Sequence, residues 1–296
     1  MNNIPEDIEK KLKSVVRRIE EAAAFDGIET DDFNTSTSVK TLVRVSGMSE
    51  RSLRNWFKAY TGLSVSKYAN ARRMEYAARI FRLFPASSKA EVARIIGLNA
   101  STAIYSFMRK NGVVDIDTLR RPNDGQDAAD VPFRLERLPD SILFYMQDEI
   151  LYDESSTIDF EKSHWDITAR YVKETFPQAE IIGDMGFAVD KFVENNANTG
   201  VFISGILCRN LSARQLRRDM FGDIGWRVVP ARKYAVFSYK GAYDGLDAFY
   251  RQALHTLLQN EMQIEKSALI MEKYINSPVD TPTEELMTEI WVAISA

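Results

Sequence analysis

The chain is nearly devoid of cysteine and histidine: 296 residues hold one Cys, Cys208, and two His, His164 and His255. A lone thiol rules out a disulfide framework and fits a reducing compartment. Two distant histidines with no ligand-spaced Cys or Glu beside them argue against a metal site. No apolar run approaches the roughly 20 residues that a membrane span needs. The start, Met1-Asn-Asn-Ile-Pro-Glu-Asp7, has neither the basic region nor the apolar core of a secretory signal. Gly-x-Ser-x-Gly, Walker-type and dinucleotide fingerprints are also missing. These absences point to a soluble, cytoplasmic protein that works without cofactor or metal and has no catalytic constellation.

What the chain does have is charge sorted by region. Residues 36–113 carry fourteen Lys/Arg against three acidic side chains, Glu50, Glu75 and Glu91, a net charge of +11. The whole chain is at −4, and residues 123–296 carry 17 basic against 28 acidic side chains. A compact basic module attracts a phosphate backbone, and an acidic module avoids it. The overall balance hides this footprint. At 45% apolar, the chain is long enough for two domains, each with its own core.

The seam between the two charges is Pro122-Asn-Asp-Gly-Gln-Asp-Ala-Ala-Asp130, polar and acidic with no apolar periodicity. Before it the pattern is helical. Ile8, Leu12, Val15, Ile19 and Ala22 form one apolar stripe, whose spacing fits packing onto neighbouring helices better than a two-heptad coiled coil. After it, residues 133–146, 181–189, 200–207, 226–239, 268–274 and 288–294 read as strands. Helices are expected around 160–175, 212–220 and 246–260. That mixture predicts an α+β domain. There is also an internal echo. Leu138-Pro-Asp-Ser-Ile-Leu-Phe-Tyr aligns with Val229-Pro-Ala-Arg-Lys-Tyr-Ala-Val, and both segments run on to Tyr-Asp at one constant offset, Tyr152-Asp153 and Tyr243-Asp244. One supersecondary unit used twice, about a pseudo-twofold, would produce it.

In the basic half, Thr37 to Lys58 has a mechanical reading. Val39, Leu42 and Val43 supply the buried face of a first helix, Gly47 permits a tight turn, and Ser49 caps a second helix. On that second helix Leu53, Trp56 and Phe57 face inward, leaving Arg51, Arg54, Asn55 and Lys58 to project as major-groove readers. A similar unit spans Lys89 to Lys110, with Gly97 at the turn, Asn99 or Ser101 as cap, and Ser101, Thr102, Tyr105 and Ser106 on the outer face. Tyr68-x4-Arg73-Met74-x2-Ala77 lies on a long helix between them. Two such units joined by one helix, with Ser-x-x-x-Leu-x-x-x-Phe-Lys and Thr-Gly-x-Ser, resemble the AraC/XylS DNA-binding domain, most closely over Val39 to Ala77. The second unit departs from the family pattern: Gly97-Leu98-Asn99-Ala100 stands where Gly-Phe-x-Ser is usual, and hydroxyls replace arginines on its outer face.

In the acidic half, Trp226-Arg-Val-Val-Pro to Gly241-Ala-Tyr243, a helix holding Tyr250, and a last strand Thr288-Glu-Ile-Trp-Val-Ala-Ile294 resemble the GyrI-like effector-binding domain. The resemblance covers Phe133 to Ile294 and implies duplicated β-α-β-β units around a ligand pocket. Such modules are fused to AraC-type or MerR-type DNA-binding domains in multidrug-sensing regulators. Glu289 and Trp291 are two apart and so share a face of their strand. The residues alone leave open a solvated Glu289; the family's strand motif implies a ligand contact there. A carboxylate among aromatic rings suits a lipophilic cation. Tyr145, Trp165, Tyr239, Tyr243 and Tyr274 are candidate wall residues.

The expected whole is therefore an all-α domain with two helix-turn-helix units at 1–121, a linker at 122–130, and an α+β GyrI-like domain at 131–296. The expected function is a ligand-responsive transcriptional regulator that binds double-stranded DNA and a small lipophilic or cationic effector. The effector would act on the relation of the domains or on the hold on a partner such as RNA polymerase. Two alternatives stay open: a hydrolase of reactive small molecules, with Glu289 and a Tyr activating water, and a structural reading in which the departures in the second helix-turn-helix unit mean that DNA binding has been lost. Oligomeric state is not specified.

Overall fold

A computed structural model describes residues 4–25, 37–98, 103–110, 130–151, 164–191, 199–212, 215–216, 224–266, 268 and 270–295. The chain divides into two compact units, the first built mainly from Met1–Pro122 and the second from Asn123–Asp190 and Asn198–Ala296. Apart from Asp130, the expected linker lies outside the described residues, as does most of the helix expected at 212–220. Among the described residues, no helix is long and apolar enough to cross a membrane.

The first unit is helical: α1 (Glu6–Phe25), α2 (Val39–Ser46), α3 (Glu50–Thr61), α4 (Val65–Leu83), α5 (Lys89–Ile95) and α6 (Ala103–Lys110). Serine starts four of these in succession. Ser38, Ser49, Ser64 and Ser88 accept the backbone N–H of Thr41, Ser52, Lys67 and Glu91, each cap contributing about 1 kcal/mol. Gly47 (φ 64°) and Gly62 (φ 74°) end α2 and α3 in the left-handed conformation that a side chain resists. The α1 stripe packs inside its own unit: Leu12, Val15 and Ile19 are fully buried in one core with Leu42, Leu53, Phe57 and Tyr68.

The Tyr68–Arg73–Met74–Ala77 pattern on α4 has a physical basis. The Tyr68 ring stands edge-on to Phe57 at 5.5 Å and carries the Arg72 guanidinium 5.0 Å above it. Arg72 is buried and paired with buried Glu75 at 2.9 Å. Arg73 donates to the Ile96 and Gly97 carbonyls, so it ties α4 to the turn after α5. Met74 and Ala77 are fully buried.

Among its described residues, the second unit is one eight-stranded sheet with two α-helices. Its elements are β1 (Phe133–Leu138), β2 (Ser141–Leu151), α7 (His164–Thr175), β3 (Glu180–Lys191), β4 (Thr199–Arg209), β5 (Gly225–Val229), β6 (Arg232–Lys240), α8 (Leu246–Gln259), β7 (Met271–Tyr274) and β8 (Met287–Ile294). The two long strands expected at 133–146 and 226–239 are each broken in two, at Pro139 and Pro230, since proline cannot supply a ladder hydrogen bond.

The strand order is β1-β6-β8-β7-β3-β4-β2-β5. Exchanging each strand of β1–β4 with its counterpart in β5–β8 reverses that order onto itself, so a pseudo-twofold runs between β7 and β3. The echo is in register with it. Ser141 faces Val229 and Leu138 faces Arg232, which is one and the same pair under the echo's alignment. The halves thus form a single sheet with exchanged edge strands, rather than two sheets.

Both helices cover one face of it. Phe144 stacks on Phe176 beyond the end of α7 at 5.4 Å, and Trp165 of α7 meets Phe202 at 5.8 Å. Phe249 of α8 meets Tyr239 at 5.0 Å. α7 packs over β2 and β4 and α8 over β6, so the β7–β3 seam runs between them.

Candidate functional site

Glu272 stands in the middle of that seam. β7 places it opposite Ile290 of β8 and Gly186 of β3. It is 8% exposed. Each carboxylate oxygen accepts a phenolic proton: Tyr250 Oη donates to Oε1 at 2.7 Å, and Tyr274 Oη donates to Oε2 at 2.5 Å. Such distances are those of charge-assisted O–H···O bonds.

Aromatic rings complete the surround. Tyr274 shares Glu272's face two residues on, with Trp165 edge-on at 5.2 Å and Tyr243 edge-on at 5.5 Å. Trp165 is fixed by its Nε1 donating to the Met185 carbonyl at 2.9 Å. Gly186 makes room for Tyr274. A Cβ there would stand 2.5 Å from Tyr274 Cε2 and 2.9 Å from Phe202 Cζ. Burial, and then the nearby Glu272 charge, push the Tyr243 phenol up to about 12. The same causes in the same order hold Tyr274 well above the ordinary tyrosine value. One buried carboxylate, two O–H donors and four rings are groups whose chemistry suits an aromatic or lipophilic cation.

Three of the expected site residues therefore meet, Trp165, Tyr243 and Tyr274, while four stand elsewhere. Glu289 and Trp291 do share a face, but it is the opposite one, because Tyr274 pairs with Thr288 and Glu272 with Ile290. There Glu289 Oε1 takes Arg134 Nη2 at 2.8 Å, Glu289 Oε2 accepts Trp291 Nε1 at 3.0 Å, and Lys273 Nζ lies 5.8 Å from the Trp291 ring. Glu289 thus has a cationic partner of its own, Arg134. Tyr145 also lies on that far face. It is 1% exposed and fills the space over Gly225, where a Cβ would be 2.6 Å from its Cζ.

Tyr239 is on the helix-covered face but two strands from Tyr274. Its hydroxyl donates to the Ala242 carbonyl at 2.7 Å, bracing the turn that presents Tyr243. Glu272 and Tyr250 were not singled out by sequence. The signal was present, since Glu272-Lys-Tyr274 has the same acid–x–aromatic spacing as Glu289-Ile-Trp291.

In the first unit, Arg51, Arg54, Asn55 and Lys58 are all exposed on α3. Arg54 is bound to Glu50 one turn earlier, Nη2 to Oε1 at 2.7 Å. On α6, Tyr105 and Ser106 are exposed, and Tyr105 Oη receives Lys89 Nζ at 2.6 Å. Ser101 and Thr102 lie outside the described residues.

Comparison with known proteins bears on the later part of the second unit. Residues 198–295 match the family model described as a GyrI-like small molecule binding domain, so this part of the chain is a GyrI-like domain. Among solved structures, the chain is similar to the EcmrR C-terminal domain, with 18% identity, 56% of this chain and 98% of that one covered, and a TM-score of 0.41. It is similar to SAV2435 bound to tetraphenylphosphonium, with 17% identity, coverage of 56% and 94%, and a TM-score of 0.36. It is also similar to EcmrR in a cryo-EM structure of its DNA complex, with 15% identity, coverage of 87% and 98%, and a TM-score of 0.42. No curated protein matches the chain.

Proposed function

We propose that this chain is a ligand-responsive transcriptional regulator. Its GyrI-like unit senses a lipophilic cation at Glu272, and its helical unit is an AraC-type DNA-binding domain with two helix-turn-helix units. The observation that carries the sensor is the buried Glu272 carboxylate, hydrogen-bonded by Tyr250 and Tyr274 and ringed by Trp165 and Tyr243. A neutral ligand gains little from such a carboxylate, and a hydrophilic cation gains little from the rings. The ligand is bound without turnover. It changes either the relation of the domains or the hold on RNA polymerase.

DNA contact rests on α3. Its exposed Arg51, Arg54, Asn55 and Lys58 lie in a region of net charge +11. α3 reads base edges. α6, with hydroxyl-bearing Tyr105 and Ser106, makes the weaker contacts.

Two measurements test the reading. Calorimetry should show tetraphenylphosphonium binding and triphenylphosphine oxide, a neutral relative that keeps three of its four phenyl rings, binding at least about tenfold more weakly, the tenfold step being about 1.4 kcal/mol. Equal affinities would remove the cation site. Duplex DNA should bind with a log–log salt slope of about −4 to −7, from roughly 4–8 phosphate contacts. A flat salt response would remove the DNA reading.

A further inference from the structure

β1 is the last strand at one end of the sheet, and among the described residues it pairs only with β6. Its counterpart under the pseudo-twofold is β5, at the other end. The two edges are finished differently. In β5 the residue equivalent to Leu135 is Trp226, which packs against the core cluster under α7. In β1, Leu135 is 48% exposed, and Arg134 and Arg137 beside it are exposed too. An open strand edge carrying an exposed apolar side chain invites another strand.

The β1 sequence selects which strand that is. Phe133-Arg-Leu-Glu-Arg137 is complementary to itself when two copies run antiparallel about Leu135. Arg134 then faces the Glu136 of the second copy, and Glu136 faces its Arg134. Leu135 meets Leu135 on the axis, and Phe133 faces Arg137. Directly opposed residues of an antiparallel pair lie on one face, about 4.5–5.5 Å apart at Cβ, where opposite charges and aromatic–cation pairs attract. A protective edge commonly carries charges of one sign, which would repel a second copy. Here the signs alternate, and Arg134 already reaches Glu136 within its own strand at 2.6 Å.

We propose that β1 is a self-association edge, joining two copies of this chain into a twofold dimer with a continuous sheet through Leu135. A contact of one short strand is at the small end of specific interfaces, so the dimer is weak, in the range of about 10–100 micromolar. The proposal stands apart from the ligand and DNA readings.

Charge exchange tests it on the full chain by sedimentation velocity. Wild type should pass from monomer to dimer as its concentration rises to about 100 micromolar. Arg134→Glu alone opposes Glu to Glu, and Glu136→Arg alone opposes Arg to Arg, so each should stay monomeric. Their equimolar mixture restores every opposed pair and should dimerise at least as well as wild type. A mixture that stays monomeric, or either variant dimerising alone, overturns the proposal, as does a wild type monomeric throughout. Arg134→Glu also loses the bond to Glu289, so a second variant keeps the test independent of that cost. Leu135→Cys sits on the axis and should give a covalent dimer on mild oxidation, whereas Leu258→Cys, at an equally exposed apolar site on α8 (53%), should not. Native Cys208 is buried, and burial pushes its thiol up to about 12, so it does not compete. Equal cross-linking from both positions would mean random collision and sink the edge pairing.

Discussion

Two neighbouring strands carry the same local pattern and end in opposite roles. β7 reads Glu272-Lys-Tyr274 and β8 reads Glu289-Ile-Trp291. They are hydrogen-bonded to each other, with Lys273 opposite Glu289 and Glu272 opposite Ile290. That one-residue difference in phase sends the two acids to opposite faces. On its face Glu289 meets Arg134, the Trp291 indole N–H and, across the strand, Lys273. On the other, Glu272 meets tyrosines. The pattern sets a pairing of acid with ring; the neighbouring strands decide whether the acid meets an arginine or two tyrosines.

The largest expected difference between the two follows directly. Glu272→Gln keeps the shape and deletes the charge that a buried cation would pair with. It should weaken tetraphenylphosphonium by about 1–3 kcal/mol, roughly 5–150-fold, while triphenylphosphine oxide changes little. Equal losses for both probes would mean that Glu272 only holds its two tyrosines in place. Gly186→Ala should come next. It inserts a methyl where Tyr274 already lies, 2.5 Å from Cε2, and should cost about 1–3 kcal/mol of stability. A thermal melt unchanged by this substitution would place the Tyr274 ring elsewhere.

The same comparison shows what could be read from sequence and what could not. Serine caps and left-handed glycines are local devices, so the α2–Gly47–α3 turn and its cap Ser49 were readable residue by residue. The echo from Leu138 to Val229 was readable too, because a repeated unit repeats its sequence, and it proved to mark β1·β6 and β2·β5 as equivalent pairings. Side-chain phase along β8 was also right. Which strand lies beside which was not readable. β7 is four residues long and its partners β3 and β8 come from different halves, so the meeting of Glu272 with Gly186, and with Tyr250 from a helix, is wholly non-local. Pro139 and Pro230 were visible, yet each lies between two stretches of strand-forming residues close enough to read as one strand. Tyr145, like Glu289, is set by its strand phase on the face away from Trp165, Tyr243 and Tyr274.

The pH dependence gives a smaller separation. Burial and the Glu272 charge raise the folded-state value of Tyr243 to about 12 and hold that of Tyr274 well above the ordinary tyrosine value. A raised value favours the protonated phenol, so this stability is fully present below the ordinary tyrosine value of 10.0 and is lost as pH rises towards about 12. Tyr234, near Arg232 and Glu265, also titrates at about 12, chiefly through burial. Alkaline unfolding of wild type should therefore begin above about pH 10. In Glu272→Gln the burial contribution stays and the charge contribution goes, so tyrosinate absorbance at 295 nm should appear at lower pH than in wild type. An unshifted titration would mean that burial alone governs these phenols.

The smallest effect is expected at the acid that the sequence favoured. Glu289 is 13% exposed at its side chain, but its partner Arg134 is 44% exposed. Solvent screens such a pair, and exposed ion pairs contribute about 0–1 kcal/mol. Glu289→Gln retains an amide oxygen able to accept from either Arg134 or Trp291 Nε1, though not from both with full charge. It should thus cost about 1 kcal/mol or less of stability, read as a small drop in denaturant midpoint. Tetraphenylphosphonium affinity should be unchanged within error, because the substitution lies across the sheet from Tyr250 and Tyr274. Trp291 emission should shift without ligand, since its indole N–H loses a charged acceptor. A loss of cation binding at Glu289 as large as that at Glu272 would mean that ligand reaches both faces of the sheet. In that case the division of labour between the two glutamates would fail.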